Sequence, residues 1–421
     1  MKKVLIIARY FIPYYHSLGG VLRALKLAEF LVQNNIQVYV LAAQGVELSY
    51  FGYEELIQKL NVVYIYDPLH YLYTKASTGK TDHANKRPPA KNKILSMAKE
   101  IIKEFSIPDL ETYWTPVFYR TALKMIKNYN IPNVITTSPP HSTNIIGYRL
   151  KNKLKDKIKL FTDYRDSWNT TGLFKKHNRI CRYLSERLEG KILKRTDCFV
   201  YVSPPILEKV NKKYFDISPK SMLVMNGYDA NMQGSVRSTY TKNDVLTIGY
   251  FGLFHDKKGG ARDPALFFEA LLKFKRRIRL IFYGEIKVSE YWRARLGNTL
   301  EVKDKISHRD SLREMKTMDL LLAFHSLKEG ADEVVSAKIF EYMLAERPIL
   351  IIGPSDMEAA KIVEKDRLGY TIDLYNENDM LEKLTAIYTL WDKNELLSYS
   401  LKDLTVYSRQ YQYSKLLGLL K

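Results

Sequence analysis

The sequence predicts an α/β protein built from two doubly wound parallel-sheet domains, and three observations predict it. Short runs rich in Val, Ile and Leu alternate with helical patterns along most of the 421 residues, as parallel sheets covered on both faces require. The alternation pauses in a polar stretch from Asn226 to about Asp244 and then resumes, which marks a domain boundary. The length suffices for two separate cores, and 46% hydrophobic with 27% charged residues is the balance of an ordinary globular protein. The expected division is 1–240, 241–392, and a helical tail, 393–421, folding back on the first domain.

In the first domain, strands are expected at 3–8, 37–41, 62–66, 134–137, 159–162 and 198–203. Helices are expected at about 20–33, 93–105, 142–153, 180–194 and 205–213. The polar, basic and aromatic segment 70–93 is too long for an ordinary connection and reads as a functional loop. The second domain starts with the strand 246–252. A helix at 264–274, strands at 279–283 and 319–324, a loop and helix over 333–346, and a strand at 349–352 follow. Two such domains facing a cleft would bind ligands at the carboxyl ends of their strands.

No apolar run is long enough to span a membrane. The apolar start is broken by Arg9 after five residues, so it reads as a buried strand rather than a signal peptide. Cys181 and Cys198 lack metal-ligand spacing and fit a reducing cytoplasm rather than a disulfide framework. The net charge of +20 is uneven: residues 1–240 hold 37 Lys and Arg against 19 Asp and Glu, whereas residues 241–421 hold 29 against 27. A basic half attracts nucleic acid, an anionic membrane surface or a phosphorylated substrate. The densest clusters are Lys86 to Lys93, Lys151 to Lys159 and Lys175 to Arg195.

The richest stretch runs from Glu333 to Glu341 and continues through Arg347-Pro348 into Ile349. Ser336 is an N-cap candidate, the following residues have helical composition, and Arg347-Pro348 ends the helix. Glu333 then lies in the loop before the helix and Glu341 on its early turns, three residues after Lys338. The exposed N–H groups between them suit an anion. A nucleotide sugar needs an acceptor for sugar hydroxyls, donors for the diphosphate and a carboxylate for ribose, in that order. A surface helix with one Lys–Glu pair accounts for the same residues.

In this order and spacing, the chain resembles the family 4 retaining glycosyltransferases of the GT-B fold, two Rossmann-like domains facing a cleft. Gly19-Gly20 resembles that family's acceptor-side glycine loop, and Asn226-Gly227-Tyr228-Asp229 its motif at the end of the first domain. Gly252 to Gly259 resembles its Gly-Arg-x5-Lys-Gly loop, and Glu333 to Glu341 its Glu-x7-Glu motif. Thr137 to Ser142 and Asp163 to Trp168 look like a subgroup of bacterial surface-polysaccharide synthesis. The resemblance implies that Gly252 admits the donor diphosphate, Lys258 neutralises it, Glu333 touches the donor sugar and Glu341 holds the ribose. Leu253 stands where the family has a phosphate-binding Arg, so Lys338, Lys257 or Arg262 would have to supply that charge. Without an Asp-x-Asp loop pair, neither a metal nor another cofactor is expected.

Several residues carry two readings. Gly19 and Gly20 suit an acceptor loop or a tight strand-to-helix connection. His141, beyond the fourth strand, suits a catalytic group at the cleft edge or a packing residue, and Ser138 could occupy the equivalent point. Asp163, Arg165, Asp166 and Trp168 suit an acceptor-side site or an internal ion network. Lys258 suits phosphate or a solvated turn, and His308 the nucleotide base or a surface turn. The expected activity is transfer of a sugar, retaining its anomeric configuration, from a UDP-sugar to a lipid-linked or growing glycan at the inner face of the plasma membrane. A sugar-nucleotide epimerase, a nucleic-acid-binding protein and a non-catalytic glycan-binding scaffold are the alternatives.

Overall fold

The structure is a computed structural model. It describes residues 1–15, 18–47, 53–72, 101–171, 176, 178–232, 240–257, 263–326, 328–374 and 377–421. Most of the expected helix at 93–105 and most of the 70–93 loop lie outside these residues, as do Lys175, Lys258 and Arg262, whereas the end of that helix, 101–105, is described and is helical.

The chain forms two compact units, residues 1–224 with 413–421, and residues 225–412. The first holds a seven-stranded sheet in the order β3-β2-β1-β4-β5-β6-β7. Its strands are β1 (Lys3–Ile7), β2 (Gln37–Gln44), β3 (Asn61–Tyr66), β4 (Asn133–Ser138), β5 (Lys159–Tyr164), β6 (Cys198–Tyr201) and β7 (Ser221–Leu223), all paired in parallel. Successive residues of β1 face opposite ways. Val4 and Ile6 join a core with Val21, Leu25 and Ala28 of the helix Leu18–Gln33. Leu5 and Ile7 join another with Phe118, Ala122, Met125 and Ile126 of the helix Thr115–Tyr129. That second helix was absent from the sequence expectation. Its signals are Pro116 in the first turn and the buried 118, 122, 125, 126 stripe.

The second unit holds a six-stranded parallel sheet in the order β12-β10-β8-β13-β14-β15 and a small ladder between β9 and β11. Here the strands are β8 (Leu246–Phe251), β9 (Phe254–His255), β10 (Ile278–Tyr283), β11 (Ile286–Lys287), β12 (Leu300–Lys303), β13 (Leu320–Phe324), β14 (Ile349–Ile352) and β15 (Gly369–Ile372). Ile248 and Tyr250 of β8, Phe282 of β10 and Phe324 of β13 pack with Phe267 and Phe268 of the helix Ala265–Lys273. In each sheet the strand order reverses beside its first strand, at β1/β4 and at β8/β13. Crevices that admit ligands open outside the carboxyl ends of strands at such points.

The chain changes units at Val224, ahead of the polar stretch, because the start of that stretch is bonded into the second unit. Tyr228 bridges in parallel to Ser408, with Tyr228 N donating to Tyr407 O at 3.0 Å and Arg409 N to Tyr228 O at 2.8 Å. A Cβ at Gly227 would stand 2.6 Å from Tyr407 O, so the two segments meet at a glycine. Residues 393–412 belong to the second unit, and only 413–421 to the first. There Tyr413, Leu416 and Leu420 enter the core beside β1. Cys181 and Cys198 are buried and form no disulfide. Among the described residues no helix is long and apolar enough to cross a membrane.

Candidate functional site

In the second unit, the ends of β8 and β10 turn through glycines. Gly252 has φ +114° and Gly284 φ +128°, and a Cβ at Gly284 would stand 2.4 Å from Gly252 O. The backbone angle disfavours a side chain at both positions, and at Gly284 the Gly252 backbone also leaves no space for one. A Cβ at Gly252 would also lie 2.9 Å from Lys338 Cε and 3.1 Å from its Nζ. Lys338 therefore lies directly over the first glycine turn. Its ammonium donates to Tyr250 Oη at 2.5 Å and sits 3.9 Å from that ring's centroid, a cation–π position.

Lys338 is placed by the helix Ala337–Ala345. Ser336 caps it, accepting from Lys338 N at 3.4 Å. The 3-10 turn Ala331–Glu333 precedes it, entered through Gly330 at φ +85°. Glu333 is 1% exposed, so its carboxylate is closed off from solvent in this conformation. Glu341 keeps a quarter of its side chain exposed and stands 3.7 Å from His308 Nε2, an ion-pair distance. Burial would raise the Glu341 carboxyl, but His308, Arg409 and Lys338 together hold it below the usual carboxylate value. The Glu341 contact holds His308 above the usual imidazole value, against burial and Arg409, with help from Asp229. His308 is the first residue of the helix His308–Thr317, behind the Ser307 cap. It is more than half exposed.

Gly252, Ser336, Lys338, Glu341 and His308 are thus gathered in one unit, with Glu333 in the turn before the capped helix. Leu253 is 60% exposed beside the turn. Sequence reasoning did not single out Arg409, which acts on both His308 and Glu341. Nothing local to Arg409 signals this, because its neighbours Tyr407 and Ser408 are held by distant residues, Phe340 and Tyr228.

The first unit is different. Gly19 and Gly20 belong to the first turn of the helix Leu18–Gln33 and not to a loop before it. Gly20 O accepts from Arg165 Nη1, and Arg165 also donates to Ser138 O and Pro139 O. Arg165 therefore pins the ends of β4 and β5 to that helix. Asp163 is 3% exposed and meets neither Arg165 nor Asp166 but Arg23, at 2.9 and 2.7 Å, with Thr137 donating at 2.9 Å. Burial raises the Asp166 carboxyl while Arg165 opposes it. Trp168 is fully buried and stacks on His141 at 5.3 Å and 10°. His141 is 1% exposed. Burial first, and Arg165 second, push its imidazole down to about 3, so it is neutral at physiological pH. The structure places His141, Asp163 and Trp168 in the interior, not at a solvent-facing edge.

A second polar cluster lies outside the ends of β1 and β4. Arg9 pairs with buried Asp67, which accepts from Tyr113 Oη at 2.7 Å. Asp109 accepts from Ser142 N at 3.0 Å. Burial and neighbouring Glu111 push its carboxyl up to about 7. A small cavity there is lined by Arg9, Glu111, Trp114, Ser142 and Thr143. None of this cluster was singled out, although Arg9 and Asp67 each follow a strand closely. Among the described residues no group of three or more His, Cys, Asp or Glu comes together that could hold a metal ion.

No family model matches this chain, and no curated protein matches it by sequence. Solved structures do resemble it. A glycosyltransferase from Rickettsia africae is 15% identical with a TM-score of 0.63, over 99% of this chain and 97% of that one. Anabaena HepE, in complex with UDP-glucose, is 10% identical with a TM-score of 0.58, over the whole of both chains. A Listeria monocytogenes protein assigned as a UDP-N-acetylglucosamine 2-epimerase is 11% identical with a TM-score of 0.52, over 99% of this chain and 95% of that one. The likeness establishes the architecture: two parallel-sheet α/β domains, the fold of the GT-B glycosyltransferases.

Proposed function

We propose that the chain is a retaining glycosyltransferase that moves a hexosyl group from a UDP-sugar to a lipid-linked or growing glycan. The observation that carries this reading is Lys338 lying over Gly252 behind a capped helix. A glycine turn, an ammonium and helix N–H groups are what a diphosphate needs. Lys338 thereby answers the absence of an Arg at position 253. Glu341 receives the ribose hydroxyls, and Glu333, once the turn before the helix opens, contacts the transferred sugar. Lys258, outside the described residues, remains assigned to the diphosphate.

In this mechanism the glycosidic bond to the diphosphate breaks as the acceptor oxygen attacks from the same face. The leaving diphosphate takes the acceptor proton. Lys338 and the helix N–H groups stabilise the charge that develops on the diphosphate, a positioned electrostatic role that does most when water is excluded. The cations of the chain do this work without a metal. The expected setting is bacterial capsule, exopolysaccharide or O-antigen synthesis, at the cytoplasmic face of an anionic membrane.

The test is incubation with UDP-sugars, with and without a polyprenyl-diphosphate-linked saccharide, followed by NMR of the products. Acceptor-dependent transfer with an unchanged anomeric configuration supports the reading. The likeness to an assigned epimerase favours one other reading. Conversion of the nucleotide sugar at its C2 with no acceptor present would establish it instead. Failure to bind UDP or any UDP-sugar in calorimetry would remove both.

A further inference from the structure

In the first unit, the helix Arg179–Arg195 sorts its charges by side. Arg179, Arg187, Lys191, Lys194 and Arg195 are exposed, whereas Glu189 is buried and Glu186 is half-buried. Glu186 bonds to Lys213 at 2.6 Å, and Glu189 accepts from Asn169 at 2.7 Å and Tyr214 at 2.6 Å. The outward face thus carries cations and no exposed carboxylate. Its first turns add large apolar side chains to that face: Ile180 is 70% exposed, Tyr183 59% and Leu184 48%.

The segment 101–105 lies against the start of this helix. Asn178, the helix cap, donates its N–H to Glu104 Oε1 at 2.6 Å, and Lys176 Nζ donates to Lys103 O at 2.6 Å. That segment exposes three more large apolar residues, Ile101 at 57%, Ile102 at 58% and Phe105 at 64%. Most large apolar residues avoid such exposure, and a contiguous set marks a binding surface. Six apolar side chains from two bonded segments therefore stand beside a helix face of uniform positive charge.

We infer that this face, Ile101, Ile102 and Phe105 with the outer side of the helix Arg179–Arg195, docks the protein on an anionic lipid bilayer. The inference rests on the proposed lipid-linked acceptor and names the surface that brings the enzyme to it. The charge sorting selects an anionic partner. The aliphatic tips select one with an apolar interior just beneath its charges, which a bilayer has and a nucleic acid lacks. Isoleucine offers nothing to a phosphate and stacks poorly on a base. Tyr183 between the apolar turn and the cations suits the headgroup level.

The experiment is co-sedimentation of the full chain with vesicles of phosphatidylcholine alone or mixed with phosphatidylglycerol, at low and high salt. Wild type should partition onto the anionic vesicles only, and less at high salt. Ile102→Ser, Phe105→Ser and Ile180→Ser together should lower that partition about tenfold. Arg187→Glu with Lys191→Glu should lower it at low salt and flatten its salt dependence. UDP binding should be unchanged in both variants, which shows that they fold. Anionic-vesicle binding undiminished in both variants overturns this surface while leaving a membrane-bound acceptor possible. No binding by wild type at low salt overturns the docking inference itself, whereas sugar transfer to a soluble acceptor reports separately on the enzymatic reading. Tight oligonucleotide binding that only the charge reversals abolish overturns the bilayer in favour of nucleic acid.

Discussion

The two units carry charged groups at the same place, the carboxyl ends of a parallel sheet, and treat them in opposite ways. In the first, Asp163 is locked to Arg23, Arg165 is bonded to carbonyls, and His141 is stacked on Trp168. In the second, Lys338 is half-buried over a glycine turn, and His308 and Glu341 keep solvent-facing surface. A charge following a strand is therefore no sign of a ligand site by itself. What separates the two cases is burial: Asp163 and His141 are closed off from solvent, whereas Lys338, His308 and Glu341 keep surface that a ligand could reach.

The sharpest way to break this contrast is at Asp163. Asp163→Ala strands the buried Arg23 guanidinium and should cost about 3–5 kcal/mol in urea unfolding, with UDP affinity unchanged in the folded fraction. A stable Asp163→Ala protein that has lost transfer activity would return Asp163 to the acceptor side. The opposite signature is expected of Lys338→Ala. UDP binding should weaken by roughly 1.5–3 kcal/mol, the range of a hydrogen bond to a charged group, with little change in unfolding.

The two histidines extend the contrast to pH. His141 titrates far below the usual 6.5 when folded, so below pH 6.5 the unfolded chain binds a proton that the folded one does not. Stability should fall as pH drops towards 3, by about 2 kcal/mol at pH 5. His141→Phe should remove that slope in denaturation curves taken at several pH values. His308 is raised when folded, so its contribution is complete below the unfolded value and lost as pH climbs through the folded one. Being more than half exposed, it should contribute no more than about 1 kcal/mol, read as the pH 6 to pH 9 difference between wild type and His308→Gln.

The finest test separates the carboxylates. Glu341→Ala should weaken UDP and UDP-sugar alike, because ribose is present in both. Glu333→Ala should spare UDP and lower turnover, because in the proposed function its contact is with the transferred sugar. Equal losses of UDP affinity in calorimetry would end that division.

The central strands of both sheets were legible in the sequence because buried parallel strands are nearly continuous apolar runs, as at β1, β8 and β14, whereas β7, β12 and β15, of three or four residues each at the sheet edges, were not. The capped helix at Ser336 was legible for the same local reason, a cap residue followed by helix formers. Pairings between distant residues were not. Asp163 finds Arg23, 140 positions away, and Arg165 is satisfied by carbonyls, which no residue type announces. Arg409 acts on Glu341 from a segment whose Tyr407 ring meets Phe340 of the same helix, 67 positions away in the chain. Spacing reports what a residue can do, and only packing reports what it is already doing.

The bridge between Tyr228 and Ser408 has a consequence for modularity. The chain leaves the first unit at Val224 and returns at Tyr413. On the second-unit side its outbound and inbound segments are tied at Tyr228 and Ser408, and on the first-unit side Lys415 bonds to Leu223 O at 3.1 Å. Each unit thus has its two cut ends side by side, the geometry of an inserted domain. Residues 225–412 form a cassette that the corresponding unit of another chain of this fold could replace through two short joints, leaving the first unit's fold closed on itself.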